Sequence, residues 1–284
     1  MKTLLIPVDF TTTSENAIDF AIEWSKAYGY DHIILLKTLY DSVFDAIIPS
    51  EGFTHFGQDY IYRERENATE KLNELSRKMM EQIAPNTKIS TAITELPLLR
   101  AMLNVIEHEK PMLVILGSDN YSYSGDSFIA ANVITIAKIS PVRVLIVPSA
   151  YHYKTVHQLL VPCDFNRLEN LGKLVKSYHA NLVNWDKMKL LVLNIDPKGK
   201  HKQPDEQFNN AEKKLQQMLA DFHYEIYYSD NTNIISGIIE FSKGHGVELI
   251  VALPGTHSFL YSLTHKSISE AIYRNAAEPV LILK

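Results

Sequence analysis

The sequence predicts an α/β fold in which two tandem domains each contain a mostly parallel β-sheet. Two observations carry this prediction. Short apolar runs alternate with amphipathic stretches along the chain, as in parallel strands connected by helices. The same order of segments also occurs twice within the 284 residues, and a repeat of about 140 residues has the size of a domain.

The repeat is clearest at the strands. Residues 4–10 (LLIPVDF) match residues 159–165 (LLVPCDF), and residues 144–147 (VLIV) match residues 280–283 (VLIL). The join lies near residue 150. We therefore predict a first domain at residues 1–150 and a second at residues 151–284.

In the first repeat, Thr12 and Glu15 form a capping box that begins the first helix, and Gly29 ends it. Leu99, Leu103 and Ile106 should face the core from a later helix. Strands are predicted at residues 2–8, 33–39, 88–93, 112–116 and 142–147. The other helices are predicted at residues 60–83, 96–108 and 128–138, and a long loop at residues 41–59.

The second repeat follows the same order with a shorter loop after its second strand. Thr232 should cap its last well-defined helix. Strands are predicted at residues 158–162, 189–195, 225–228, 249–253 and 280–283. Earlier helices are predicted at residues 168–182 and 208–222. In both repeats, strands that alternate with helices call for helices on both faces of the sheet.

Composition excludes several classes of protein. Apolar residues make up 46% and charged residues 21% of the chain, which fits a globular core. The net charge of −5 argues against a nucleic-acid partner. The sequence contains no run of 18 apolar residues, so no membrane-spanning helix is predicted. The first apolar run stops at Asp9, too early for a signal peptide, and Cys163 is the single cysteine, so we expect a cytoplasmic protein.

Together these motifs resemble the universal stress protein family in its tandem form, similar to members from Bacteroidetes-type bacteria. The likeness rests on Pro7-Val8-Asp9-Phe10, on Pro162-Cys163-Asp164-Phe165 and on the strand–loop–helix–strand block that ends each repeat. It covers nearly the whole chain, and the Asp-Phe opening and residues 257–260 (HSFL) carry the similarity to the Bacteroidetes-type members. It implies two Rossmann-like (adenine nucleotide alpha hydrolase-like) domains, each a five-stranded mostly parallel sheet in the order 3-2-1-4-5 with helices on both faces.

The resemblance also implies where a nucleotide would bind. Nucleotide-binding members carry Gly-x2-Gly-x9-Gly-(Ser/Thr) after the fourth strand, where glycines let the backbone approach phosphates. The matching positions here are Gly117, Asn120, Ala130 and Ala131 in the first repeat, and Leu253, Thr256, Lys266 and Ser267 in the second. The spacing is kept, but only Gly117 and Ser267 keep the residue type, so the loops are degraded.

By the same resemblance, adenine and ribose would lie near Pro7, Val8, Asp9 and the second strand around Leu36 and Lys37. Asp9 and its counterpart Asp164 allow two interpretations. Each carboxylate could contact a ribose or a magnesium ion at the carboxyl end of its strand. Each could instead cap the next helix or order its loop. The sequence leaves this choice open, and it assigns no catalytic residue and no metal ligand.

The favoured hypothesis is a stress-response protein that acts through binding or assembly and not through turnover. No cofactor is firmly expected. The alternative is an ATP-binding switch or slow ATPase that uses the first-domain pocket with magnesium. The last strands of the two repeats, at residues 142–147 and 280–283, should pair edge to edge, because family members pair subunits in this way. A homodimer of the whole chain would be a further assembly.

Overall fold

The computed structural model describes residues 1–40, 58–119, 127–179, 184–253, 272 and 275–284. The chain divides into two units, residues 1–142 and residues 143–284. Residues 41–57 of the predicted loop at 41–59 lie outside the described residues. A helix begins at Gln58, within the last two residues of the predicted loop.

The first unit contains a parallel sheet in the order β3-β2-β1-β4. Every residue of β1 is buried, and Leu4 lies opposite Ile33 on one side and Leu113 on the other. Such continuous apolar runs form strands that are covered on both faces. The strands are β1 (Thr3–Pro7), β2 (His32–Thr38), β3 (Lys88–Thr94) and β4 (Leu113–Ser118), and the helices are α1 (Thr12–Tyr28), α2 (Gln58–Met80), α3 (Leu98–Glu109) and α4 (Phe128–Ile139).

The second unit contains strands in the order β5-β10-β9-β6-β7-β8. All its pairings are parallel except that of β10 with β5. The strands are β5 (Arg143–Pro148), β6 (Gln158–Pro162), β7 (Lys189–Ile195), β8 (Tyr224–Ser229), β9 (Leu249–Ala252) and β10 (Val280–Ile282), and the helices are α5 (Gly172–His179), α6 (Glu206–Met218) and α7 (Ile234–His245).

The last strands of the two repeats pair with each other, as expected. Val280 lies opposite Ile146 and Ile282 opposite Val144 in an antiparallel ladder. The division of the chain after residue 142 places β5 in the second unit. The predicted domain boundary at 150/151 marks the end of the sequence repeat and stays a prediction.

The predicted fold class is confirmed: the chain is α/β, with Rossmann-like units built on mostly parallel sheets. Several local expectations were wrong. Thr11, not Thr12, caps α1, because its side chain accepts a hydrogen bond from the Ser14 N–H. Asn233, not Thr232, caps α7. Of the three residues expected to face the core from α3, Ile106 is buried, but Leu103 is 40% exposed and Leu99 is only partly buried. The buried residues of α3 are Leu98, Ala101, Met102 and Ile106.

The helix predicted at residues 168–182 is also different. The chain first forms a 3-10 helix, Phe165–Leu171, whose N-cap is Asp164, and α5 follows from Gly172. Arg167 interrupts the 3-10 helix with a φ of −137°. By contrast, α1 ends as predicted at Gly29, where a φ of 64° suits glycine.

Each unit carries one of the two tryptophans of the chain in its core. In the first unit Trp24 is 0% exposed and stacks on Phe20 at 5.6 Å between ring centroids. In the second unit Trp185 is 4% exposed and donates from Nε1 to the Ser177 carbonyl at 3.1 Å. No helix in the described part of the chain is both long and apolar enough to cross a membrane.

Candidate functional site

The carboxylate of Asp9 lies at the carboxyl end of β1 and accepts hydrogen bonds on both oxygens. Oδ1 accepts from the Thr11 backbone N–H at 3.2 Å and from the Thr11 hydroxyl at 2.6 Å. Oδ2 accepts from the Ser127 hydroxyl at 2.7 Å and from the Ile129 backbone N–H at 3.2 Å. One half-buried side chain therefore connects the start of α1 with the first turn of α4, where Ile129 lies 120 residues after Asp9.

The start of α4 is satisfied by groups of the protein itself. Ser127 is the N-cap, and its Oγ accepts from the Ala130 N–H at 3.1 Å. Asp9 takes the Ile129 N–H. A helix start has unpaired N–H groups and partial positive charge, so it attracts anions. Here the anion is the Asp9 carboxylate.

The charge state of Asp9 follows from these bonds. Burial alone would raise the pKa of this carboxyl group. The bonds from the Thr11 and Ser127 hydroxyls and from the Ile129 N–H lower the pKa, with a smaller contribution from Ser14, and they outweigh burial. The pKa of Asp9 thus lies below its ordinary value, and the group is ionised at neutral pH.

Gly117 is buried near the end of β4, against the first turn of α1. A Cβ built on Gly117 would lie 2.4 Å from the Thr13 carbonyl oxygen and 2.9 Å from the Thr13 methyl carbon. Glycine is required here because α1 packs its backbone directly on the strand. The expected role of Gly117 beside a phosphate stays a prediction.

The other first-repeat site residues lie at the ends of β1 and β2 and in α4. Pro7 lies opposite Leu36, and the Val8 N–H donates to the Leu36 carbonyl at 2.8 Å. All three side chains are buried. Ala130 and Ala131 lie in the first turn of α4. Asn120 lies outside the described residues.

Two lysines lie beside Phe10, and the sequence did not predict them as a pair. Phe10 has a φ of 60°, a left-handed conformation that is rare for a bulky side chain. The Nζ of Lys37, from β2, lies 5.6 Å from the centroid of the Phe10 ring, and the Nζ of Lys71, from α2, lies 5.5 Å from it. Lys37 lies in the region where the resemblance would place adenine and ribose, whereas no motif marks Lys71.

The same motif is arranged differently in the second unit. Asp164 is 54% exposed, and its Oδ1 accepts from the backbone and side-chain nitrogens of Asn166, each at 2.9 Å. Its Oδ2 lies 4.0 Å from the Arg167 Nε. Asp164 therefore caps its own 3-10 helix. Thr256, Lys266 and Ser267 lie outside the described residues.

Around Asp164 the second unit is packed with rings. The Phe165 ring lies 5.0 Å from that of Phe208 and 6.1 Å from that of Tyr228, centroid to centroid. Cys163 is 7% exposed, and burial, with the charge of Asp164, raises the pKa of its thiol to about 12. Cys163 is thus an un-ionised core residue at neutral pH.

The sequence matches no model of a known protein family, and it matches no curated protein. Solved structures do match. A universal stress protein from Archaeoglobus fulgidus DSM 4304 aligns over 99% of this chain and 96% of its own, with a TM-score of 0.65 and 15% identity. The fold is that of the universal stress proteins. A putative universal stress protein from Pseudomonas aeruginosa UCBPP-PA14 covers 100% of this chain and 93% of its own, at a TM-score of 0.61 and 15% identity.

The universal stress fold is also found in a different setting. The cytoplasmic domain of a prokaryotic cation chloride cotransporter aligns over 99% of this chain and 94% of its own, with a TM-score of 0.52 and 14% identity. One fold thus serves proteins of different kinds, and function has to be argued from the site. Within the described ranges, no three or more His, Cys, Asp or Glu side chains are grouped so that they could hold a metal ion.

Proposed function

We propose that this chain is a tandem universal stress protein, of the kind found in Bacteroidetes-type bacteria, that acts in the cytoplasm through binding or assembly and not through turnover. One observation carries the proposal. The N-terminus of α4, where nucleotide-binding relatives would place phosphates, already holds the carboxylate of Asp9 and the hydroxyl of Ser127.

The energetic argument concerns charge. A phosphate oxygen placed about 4 Å from the Asp9 carboxylate would be repelled by about 4 kcal/mol at an effective dielectric constant near 20. Each 1.4 kcal/mol changes affinity about tenfold. The Ile129 and Ala130 N–H groups, which would offset this repulsion, already have acceptors. Phosphate binding at α4 therefore requires that Asp9 first give up its bonds.

The alternative function is an ATP-dependent switch or slow ATPase in the first unit. Gly117 is the feature that speaks for it, because it is the one glycine of the phosphate-binding pattern that this repeat retains. However, the contact of Gly117 with Thr13 gives that glycine a packing role without any ligand. Gly117 therefore favours neither function, whereas the hydrogen bonds of Asp9 favour the binding or assembly function.

A ligand titration with a matched variant tests the proposal. Thermal unfolding of the wild type should be unchanged by millimolar ATP with magnesium, whereas a ligand at 100 times its Kd would stabilise the protein by about 2.7 kcal/mol. Asp9→Ala removes the competing charge, so ATP should stabilise this variant more than the wild type. Each protein is compared with and without ATP, so a change in basal stability does not affect the result. Stabilisation of the wild type that disappears in Asp9→Ala would overturn the proposal.

Assembly is the second part of the proposal. A homodimer of the whole chain should give twice the 32.3 kDa mass of the monomer in size-exclusion chromatography with light scattering. A monomeric mass at all protein concentrations tested would contradict this part. Mobility of a DNA or RNA fragment in a gel should not change on addition of the protein, since the net charge is −5.

A further inference from the structure

We propose that two copies of this chain pair through the outer edge of β8, strand against strand, across a two-fold axis at Ile226. The inference rests on the homodimer of the proposed function and gives that dimer an interface. The surface concerned lies in the second unit and does not include the start of α4.

The first argument is the backbone of β8. This strand is the last in the sheet order of its unit, and within the described ranges no strand pairs with its outer side. The Ser229 carbonyl accepts a hydrogen bond at 2.9 Å from the N–H of Asp196, directly after β7. Because backbone direction alternates along a strand, the N–H and C=O groups of Tyr224, Ile226 and Tyr228 point away from β7. Such outward-facing groups are a template for a further strand.

The second argument is that β8 lacks the usual protection of an edge strand. Edges are commonly blunted by lysine, proline or a bulge. The sequence of β8 is YEIYYS, and none of its residues is buried. Its one charged side chain, Glu225, is paired with the ammonium group of Lys189 at 2.6 Å. The counterpart edge strand of the first unit, β3, reads KISTAIT, with a lysine at its start and no aromatic residue.

The third argument is the aromatic rings on both faces of β8. On one face the Tyr227 ring lies 5.0 Å from that of Phe241 and 5.2 Å from that of His245, both on α7. Tyr227 and Phe241 are half-buried, and His245 is exposed. On the other face the Tyr228 ring lies 5.7 Å from that of Phe208, on α6. Aromatic side chains are enriched in protein–protein interfaces, and here they flank an unpaired backbone edge.

A second copy of the chain fits this edge by symmetry and by charge. Identical strands that meet across a two-fold axis run antiparallel. Ile226 is the middle one of the three outward-facing residues, so a pair centred on it places Tyr224 opposite Tyr228 of the other copy. On the other face Glu225 lies opposite Tyr227 of the other copy. A tyrosine hydroxyl suits this carboxylate, because Tyr227 donates to Glu225 at 2.6 Å within one chain.

Sedimentation velocity of the full chain over a range of concentrations tests this inference. The mass of the wild type should approach twice 32.3 kDa as concentration rises. Ile226→Pro removes an outward-facing N–H and no bond to β7, a change that edge strands tolerate. It should raise the dissociation constant of the dimer by at least about tenfold. Ile226→Lys should do the same, because it places two like charges at the axis.

The matched control is Thr91→Pro on β3. Thr91 lies opposite the fourth residue of β2, as Ile226 lies opposite the fourth residue of β7. This variant should dimerise as the wild type does. The fluorescence of Trp185, which is buried in the second unit, shows whether each Ile226 variant is folded.

Three results would overturn the inference. A wild type that stays monomeric would leave this edge to an extended segment of a different protein, and it would also contradict the assembly part of the proposed function. Folded Ile226 variants that dimerise as tightly as the wild type would place the interface elsewhere, while the homodimer itself would stand. Equal weakening by Thr91→Pro and Ile226→Pro would show that the effect is not specific to β8. The ATP titration is independent of all three results.

Discussion

Replacing Asp9 by asparagine should destabilise the first unit by about 3 kcal/mol. The carboxylate accepts four hydrogen bonds, two on each oxygen. The amide keeps one acceptor oxygen and turns an NH2 group toward two donors, so two bonds to a charged group are lost at about 1.5–3 kcal/mol each. Because Asp9 is only half-buried and its side chain keeps some contact with water, the expected loss of stability lies at the lower end of the range for two such bonds. One lost partner, the Ile129 N–H, belongs to a helix start.

The two tryptophans allow this change to be measured in one unit at a time. In a Trp185→Phe background, Trp24 reports urea unfolding of the first unit by fluorescence. In a Trp24→Phe background, Trp185 reports the second unit. The matched control is Asp164→Asn, whose carboxylate is exposed and caps a 3-10 helix; it should cost less than about 1 kcal/mol. Equal losses in the two variants would refute the reasoning that Asp9 holds the start of α4.

The pH dependence gives a second measurement of the same interaction. The pKa of Asp9 is lowered in the folded state. Its stabilisation is therefore present above the unfolded pKa, about 3.9, and is lost as the pH falls through the folded pKa. The stability difference between wild type and Asp9→Asn should be constant from neutral pH to about pH 5 and should shrink below pH 4. A difference that grows on acidification would contradict this sign.

The remaining predictions concern packing and burial. Gly117→Ala should destabilise by about 1–3 kcal/mol in urea because its Cβ meets Thr13 at 2.4 Å, whereas Gly172→Ala, with open space around it, should be neutral or stabilising. Cys163 should not react with a thiol reagent at pH 8 until the protein unfolds, and fast reaction of the native protein would contradict its raised pKa. Burial, followed by the charge of Lys88, lowers the pKa of His32 in the folded state. The contribution of neutral His32 to the free energy of unfolding is therefore present above about pH 6.5 and is lost on acidification. His32→Gln should make the free energy of unfolding fall less steeply below that pH, and an unchanged slope would contradict this.

Much of the fold could be predicted because strands and helices each have a characteristic local order of apolar and polar residues. Buried parallel strands are rich in continuous apolar runs, and β6 and β7 begin and end at the residues predicted for them. The predicted N-cap residues of α1 and α7 were each wrong by one position. Both Thr11 and Thr12 can cap a helix, and the choice depends on where the backbone turns from extended to helical. Periodicity also left the buried face of α3 ambiguous, since Leu99 and Leu98 differ by one position.

The candidate site could be predicted only in part. Asp9 was found from its place after a strand, but its partner Ser127 is 118 residues away. Nothing local to either residue indicates the bond. Lys71 is one of two lysines on a charged helix, and only the approach of its ammonium group to the Phe10 ring distinguishes it. Contacts between segments that are distant in the chain depend on the fold, so local sequence patterns cannot predict them.

The two units show how a repeated motif can acquire two chemistries. The Asp-Phe pair that follows the first strand is the same in both. In the first unit the positive φ of Phe10 sets its ring beside two lysines while Asp9 reaches the start of α4. In the second unit Phe165 begins a 3-10 helix, its ring packs on Phe208, and the Asp164 carboxylate is left at the surface. The first unit thus uses its carboxylate to hold a helix start, whereas the second leaves its carboxylate exposed at the start of its own 3-10 helix.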